Sequence, residues 1–367
     1  MRQISRRDAL KIGAGALSAA ALAACGSSTP SGSASSRRGY PKGKVSVTMF
    51  VFLGGNLGVM PAAFAKDYMS RHRNVTVNIY ANSNNVGYPK MLAAKQTNPN
   101  QPLVNLGFFN GQTAAQGDLD GMWNKLDYSA LSNAKDIPPI FRRSNHHGIG
   151  IASDQLGLVY NTQEVTKAPT SWADTWGAST KGKLTFFQYY WEIVYIAAKM
   201  NGGSLTNMGP GWNFWQNHAH WIRTIVSSNP QYIQVLTNGT ANFTSYFNGT
   251  ALQWKQQGAP VTYVPPKEGA ISVPVYLCSV QGNTPDQEAV AVDMINEMIS
   301  PKWCLQYATT TVAVPANQAV KLPSNLSSLP AFQKSTVDKL IALDWKTVAK
   351  NINDWDQRWN QDIAAKI

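Results

Sequence analysis

From residue 45 onward the chain alternates between two hydrophobic periods. Residues 45–53 are apolar and rich in β-branched and aromatic side chains, the pattern of a buried strand, and Gly54, Gly55 and Gly58 break it. Residues 61–71 carry Ala62, Phe64, Ala65 and Tyr68 at helical spacing. Residues 75–80 alternate as a strand, 89–96 form a short helix, and 103–109 form a third strand closed by Asn110-Gly111. The spacing then predicts a pair of strands over 147–160, a turn and short helix over 170–176, a strand over 183–187, and helices over 192–200 and 212–226. Mixed signals over 232–236 and 243–254 precede strands at 261–264 and 271–280. Helices follow over 284–299 and 302–309, and the Trp-rich tail, 329–367, reads as helical. Strands alternating with helices imply an α/β fold with a mainly parallel sheet and right-handed crossovers. Two such stretches joined by strand-like crossings imply two similar lobes. In such sheets a ligand lies beyond the carboxyl ends of the strands, in the crevice between units.

Length and composition agree with two lobes. A chain of 367 residues exceeds what one hydrophobic core usually organises. With 44% hydrophobic and 14% charged residues, it has ample material for large cores. Twelve Trp, fourteen Tyr and twelve Phe serve the cores and also suit flat or cationic ligands. The formal net charge is +12. Arg2, Arg6, Arg7, Lys11 and Asp8 account for three of these charges, so the rest of the chain carries about +9. No run of Lys or Arg exceeds two and no aromatic–basic ladder appears, so the charge is a diffuse surface property and nucleic acid is not an expected partner.

The N-terminal region reads as an address. Ser5-Arg6-Arg7-Asp8-Ala9-Leu10-Lys11 resembles the twin-arginine export consensus, and a short apolar stretch of small residues, 12–24, follows. It is too short to span a bilayer as a stable helix. Leu22-Ala23-Ala24-Cys25 resembles the lipobox of bacterial lipoproteins, in which the Cys is acylated and becomes the new N-terminus. The expectation is a signal segment over 1–25, a lipid anchor on Cys25 and a Ser/Gly/Pro-rich tether over 26–43. Such a protein works at the outer face of the cytoplasmic membrane, as a periplasmic or extracellular lipoprotein. Cys278 and Cys304 could pair in that oxidising compartment or remain as buried thiols.

Several residues stand where a ligand would meet the strand ends. The loop 53–57 follows the first strand and opens a helix, so its free N–H groups could face a polar ligand, with Phe52 and Asn56 as the side chains; the alternative is a plain glycine turn. Asn110 ends the third strand and could either bond a ligand or shape the turn. Gln188-Tyr189-Tyr190-Trp191-Glu192 follows a strand and starts a helix. Glu192 there can favour the helix dipole, or it can join Tyr189, Tyr190 and Trp191 in a cation site, with cation–π attraction of roughly 0.5–2 kcal/mol per ring. Glu192 with Glu268 could also form a carboxylate pair for glycoside chemistry, but the chain has no G-x-S-x-G elbow, P-loop or H-E-x-x-H. The sequence is read as a binding protein and not an enzyme, with no cofactor and no resident metal.

Four stretches resemble the extracellular solute-binding proteins of ATP-driven (ABC) importers, in the branch that includes spermidine/putrescine-binding and ferric-ion-binding proteins. Gly157-Leu158-Val159-Tyr160-Asn161 is similar to the strand that follows the first lobe of that family. Pro169-Thr170-Ser171-Trp172-Ala173-Asp174-Thr175-Trp176 with Lys181-Gly182-Lys183 resembles its signature. Phe247-Asn248-Gly249-Thr250-Ala251 and Pro266-Lys267-Glu268-Gly269-Ala270-Ile271 resemble the polyamine binders. Glu288-Ala289 through Ile295-Asn296, Ser300-Pro301 and Val314-Pro315-Ala316-Asn317 resemble the closing helices, and Trp355-Asp356-Gln357-Arg358-Trp359-Asn360 resembles the C-terminal helix.

The resemblance implies a type II periplasmic-binding-protein fold, two lobes of mixed sheet flanked by helices and joined by a two-strand hinge. Lobe 1 is expected over 44–152 and 272–320, and lobe 2 over 153–271 and 321–367 with the C-terminal helices. It implies a monomer that closes on a small solute and delivers it to a permease and its ATPase. Phe247 matches a ligand-stacking Trp of the polyamine binders, with Tyr246 and Tyr276 as neighbours, and Glu192 matches a ligand-binding Glu. Val273 and Val275 stand where those binders carry a Trp and an ammonium-gripping Asp, so among polyamine-like and other amine or zwitterionic solutes, one with a single cationic centre, or a neutral or zwitterionic one, fits better than a classical polyamine. Tyr189-Tyr190 also resembles the paired tyrosines of ferric-ion binders, which keeps iron as an alternative, alongside an exported carbohydrate-active enzyme.

Overall fold

The computed structural model describes residues 39–367 except 55, 178, 179, 181 and 189. The expected signal segment, most of the tether, Cys25 and Tyr189 lie outside the described residues. The chain opens with strand β1 (Val45–Phe52), helix α1 (Val59–Arg71), β2 (Val75–Asn82), α2 (Asn84–Thr97), β3 (Leu106–Asn110) and α3 (Gly111–Leu119). β1 pairs in parallel with β2 and β3, as the alternating periods require. A second run of the same kind holds β5 (Leu184–Phe187), α4 (Trp191–Met200), α5 (Gly209–His218), β6 (Ile222–Val226), α6 (Asn229–Thr237), β7 (Phe243–Phe247) and α7 (Asn248–Gln256). There β5 pairs in parallel with β6 and β7.

Two long strands join the runs. β4 (Ile149–Asn161) and β9 (Ile271–Ser279) lie antiparallel at the centre of a sheet ordered β2-β1-β3-β9-β4-β7-β5-β6. β8 (Val261–Val264) and β10 (Val314–Pro315) also pair with β4. The chain continues through α8 (Pro285–Met298), α9 (Pro301–Thr311), the short turns α10 (Ser324–Ser327) and α11 (Lys334–Val337), and α12 (Trp345–Asp362). α8 starts on a capping box, with Thr284 and Gln287 each bonding the other's backbone N–H, and with Pro285 in its first turn. Among the described residues no helix is long and apolar enough to cross a membrane.

The apolar faces bury in separate cores along this sheet. One core draws Val47, Met49, Leu106, Phe108, Ile151 and Leu277 together with α1, α8 and α9. A second draws Leu156, Leu158, Phe186 and Ile271 together with α4, α5 and α12. Both central strands contribute to both cores, Ile151 and Ala152 to one and Leu156 and Leu158 to the other on β4. The result is a mixed sheet flanked by helices, divided into two halves that share β4 and β9.

Some expectations change. Residues 147–160 form one long strand in place of two, because Gly150 and Gly157 serve packing and not turns: a Cβ would lie 2.9 Å from Phe141 at the first and 2.6 Å from the Tyr263 hydroxyl at the second. The helix expected over 212–226 stops at His218, and the β-branched run Ile222–Val226 becomes β6. In the tail only α12 is a long helix. Cys278 and Cys304 are both free and buried. Their neighbours on β9 show why: Leu277 faces the core that holds Cys304, whereas Cys278 faces the opposite side of the sheet, so the sheet separates the thiols. Burial pushes both thiols up to about 12, which keeps them unreactive.

Candidate ligand site

Strand register lays out the floor between the two halves. In antiparallel pairs, residues directly opposite each other project to the same face. Asn110 on β3 opposes Val275 on β9, which opposes Ala152 on β4. The next row on that face is Val273 opposite Asp154, and the third is Ile271, Leu156 and Phe247. Ala152 and Val275 belong to the first core, and Ile271 and Leu156 to the second. Asp154 therefore stands in the gap between the cores. Its side chain is half-buried, and burial pushes its carboxyl up to about 7. It has no hydrogen-bond or ion-pair partner among the described residues. The polar groups of the same strand segment on the other face are satisfied: Ser153 Oγ bonds Ser272 Oγ at 2.7 Å, and Gln155 Nε2 donates to the Ala331 carbonyl at 2.6 Å.

Helix N-termini rim this floor. Asn110 caps α3, its side-chain oxygen accepting from the Thr113 amide at 2.8 Å. Gly111, the next residue, lies under the indole of Trp345, where a Cβ would come within 2.5 Å of the ring. That indole sits edge-on to Trp191, the first residue of α4, with ring centroids 6.5 Å apart. Trp345 thus links the start of α3 in one half to the start of α4 in the other. Glu192 follows in the first turn of α4, half-buried. Burial pushes its carboxyl up to about 8, its own backbone N–H opposes this, and the Asp356 charge adds to the rise. Asp356, on α12, is raised to about 6 by burial, and its Oδ1 is buried without a partner among the described residues. No cation pairs with Glu192 among the described residues.

The residues expected to line the site divide by face. Asn110 and Phe247 share the floor with Asp154, and Glu192 stands at the rim. Phe52 is half-buried at the end of β1, edge-on to Phe50 at 6.2 Å, and Asn56 is exposed in the loop beyond it. Tyr246 and Tyr276 project to the opposite face, one step out of phase with Phe247 and Val275. Tyr246 stacks on Trp254 and donates to Asn229, while Tyr276 lies under the Arg143 guanidinium. Tyr190 is buried, with its hydroxyl donating to the Ser245 carbonyl at 2.7 Å. Trp191 is buried between Trp345 and Trp355. Asp154, Trp345 and Asp356 were not anticipated. Asp154 had a visible signal, a lone charge within the apolar run Ile149–Asn161.

The other chemistries have different surroundings. Glu268 accepts from the Ser171 hydroxyl and from the Trp172 amide at 3.3 Å, which makes it a structural cap. His72, Asp293 and Glu297 could bring ligand atoms within 4.8 Å of one another, but they lie at the end of α1 and on α8. There Arg71 donates twice to Glu297, at 3.0 and 2.6 Å, and the Tyr68 hydroxyl donates to Asp293 at 2.7 Å.

Comparison with known proteins agrees with this fold. Residues 63–334 match the family of bacterial extracellular solute-binding proteins. The spermidine/putrescine-binding periplasmic protein of Escherichia coli K12 is 28% identical over 258 residues, covering 67% of this chain and 69% of that protein. A crystal structure of an ABC transporter protein from Clostridium perfringens superposes with a TM-score of 0.72 at 18% identity, covering 87% of this chain and 100% of that one. The spermidine/putrescine transporter substrate-binding protein of Streptococcus pneumoniae superposes with a TM-score of 0.70 at 20% identity, covering 86% of this chain and 98% of that one. The two-lobed α/β architecture is therefore that of the periplasmic binding proteins, and this chain belongs to the bacterial extracellular solute-binding proteins, in the branch that resembles the polyamine binders.

Proposed function

We propose that this protein is the solute-capturing component of an ATP-driven importer, and that its solute is a small organic molecule with at least one positively charged amine. Glu192 carries the reading. It is desolvated, raised to about 8 and without a cation among the described residues, at a helix start that borders the gap between the halves. A buried carboxylate without a partner is costly, and an arriving ammonium relieves that cost. The names of the curated relatives, which bind spermidine and putrescine, support an amine ligand.

The halves, taken as 44–152 with 272–320 and 153–271 with 321–367, close on the solute and present it to a permease and its ATPase. The Arg6-Arg7 motif and Cys25 support export in the folded state and a lipid anchor, with 26–43 as tether. The protein acts as a monomer and by binding without turnover; the capped state of Glu268 supports the second point. Calorimetric titration with butylamine tests the amine reading. Glu192→Gln is expected to weaken binding at least about tenfold. Unchanged affinity in that variant would remove Glu192 from the site.

A further inference from the structure

A second opening lies on the side of the sheet that turns away from the crevice. Asn248, Ala251, Leu252 and Lys255 stand at helical spacing and form one stripe of α7, and that stripe lines a pocket of about 200 Å³. Tyr263 on β8 lines it too, with its hydroxyl 3.4 Å from Gln155 Oε1, on the face of β4 opposite Asp154. Val312, Leu329 and Pro330 complete the apolar lining. Two buried amides fix these walls: Asn248 Nδ2 donates to the Val312 carbonyl at 2.7 Å, and Gln155 Nε2 to the Ala331 carbonyl at 2.6 Å. A close-packed protein leaves few voids of this size, because the atoms that line one forfeit their dispersion contacts. An apolar cavity of about 150 Å³ takes up benzene, so this one has room for a body of about six carbons. Lys255 and Pro330 are exposed and mark its mouth. Among the described residues no acidic side chain lines the pocket, and the Lys255 ammonium has neither an ion pair nor a hydrogen bond.

We infer that this pocket is a second binding site, for a small monocarboxylate with an apolar body of about six carbons, such as a short fatty acid or an aromatic acid. The body covers Ala251, Leu252, Val312 and Tyr263, and the carboxylate meets Lys255 at the mouth. Removal of the body from water supplies the affinity, and the exposed ammonium selects the sign of the charge. The site is separate from the crevice and independent of the amine reading, since it takes the opposite charge on the opposite face of the sheet. Its walls come from both halves, α7 and β8 from one and Val312, at the end of α9, from the other. A guest there braces the junction that Asn248 already ties.

Calorimetric titration with hexanoate, hexanol and acetate tests the site in the unsubstituted protein, Lys255→Glu and Leu252→Trp. The unsubstituted protein is expected to hold hexanoate at least about tenfold more tightly than acetate, which lacks the body, and more tightly than hexanol, which lacks the charge. Lys255→Glu, at an exposed position, weakens hexanoate at least about fivefold and leaves hexanol within about twofold. Leu252→Trp fills the space and abolishes binding of both. Thermal unfolding without ligand shows whether Leu252→Trp is folded; if it is not, Lys255→Glu decides alone. A rise in Tm with hexanoate that Lys255→Glu diminishes is the companion signal. If the unsubstituted protein does not bind hexanoate, or holds hexanol as tightly, the inference is overturned. Hexanoate affinity that Lys255→Glu leaves unchanged overturns it as well, because the acid then sits elsewhere.

Discussion

Each carboxylate at the crevice costs the empty protein free energy in its ionised form, and the sign of that cost sets a pH dependence. Glu192 is raised from an ordinary 4.5 to about 8, so the folded state binds its proton more tightly than the unfolded state does. The stability associated with this group is fully present below its unfolded pKa and is lost as pH rises through about 8. Cation affinity runs the other way. An amine remains charged well above neutrality, while Glu192 is neutralised as pH falls. Amine affinity is expected to decline between pH 8 and pH 6, by up to about tenfold per unit for each carboxyl that must ionise. Titration of butylamine across that range checks this, with net proton release on binding near pH 7 as the companion signal. A flat profile with no proton release contradicts it.

At the scale of elements, the starts of α3, α4 and α12 are fitted to one another. The backbone of Gly111 is ordinary, and the Trp345 indole, whose atoms lie nearest an added Cβ, forbids a larger residue there. Gly111→Ala is expected to force the ring aside, lowering unfolding free energy by about 1–3 kcal/mol and weakening amine capture. Gly43, with open space around it, provides the control substitution to Ala. Urea unfolding and titration of both variants measure the difference, and equal stability of the two would show that Trp345 yields freely. Sequence periodicity revealed β1 to β3, β5 and the parallel order, because those elements bury one regular face. It failed where glycine served close packing, as at Gly150 and Gly157, and where a helical stretch ran on into β-branched residues at Ile222–Val226. Glu192, Asn110 and Phe247 were legible as residues at element ends. Trp345 was not, since only the fold brings it onto Gly111. The single-residue phase difference that turns Tyr246 and Tyr276 away from the floor became visible only with the strand register.

At the scale of the molecule, the halves are joined by more than the two long strands. The Ser272 amide donates to the Ile341 carbonyl at 2.9 Å, so the tail makes a further passage beside β9. Asn248 spans the junction as well, accepting from the Gln155 amide at 3.1 Å and donating to the Val312 carbonyl at 2.7 Å. These bonds sit at the shared strands, where a rotation of the halves displaces them least, while Glu192 and Asn110 lie on the facing rims. Under the proposed function, a solute touching both rims would make its full set of contacts only when the halves are together, and that difference would drive closure. Small-angle X-ray scattering of the protein with and without saturating butylamine tests this most directly. The proposed function predicts a smaller radius of gyration with the amine and none of that contraction in Glu192→Gln at the same amine concentration. Superimposable profiles for the unsubstituted protein, with the amine bound, would contradict it.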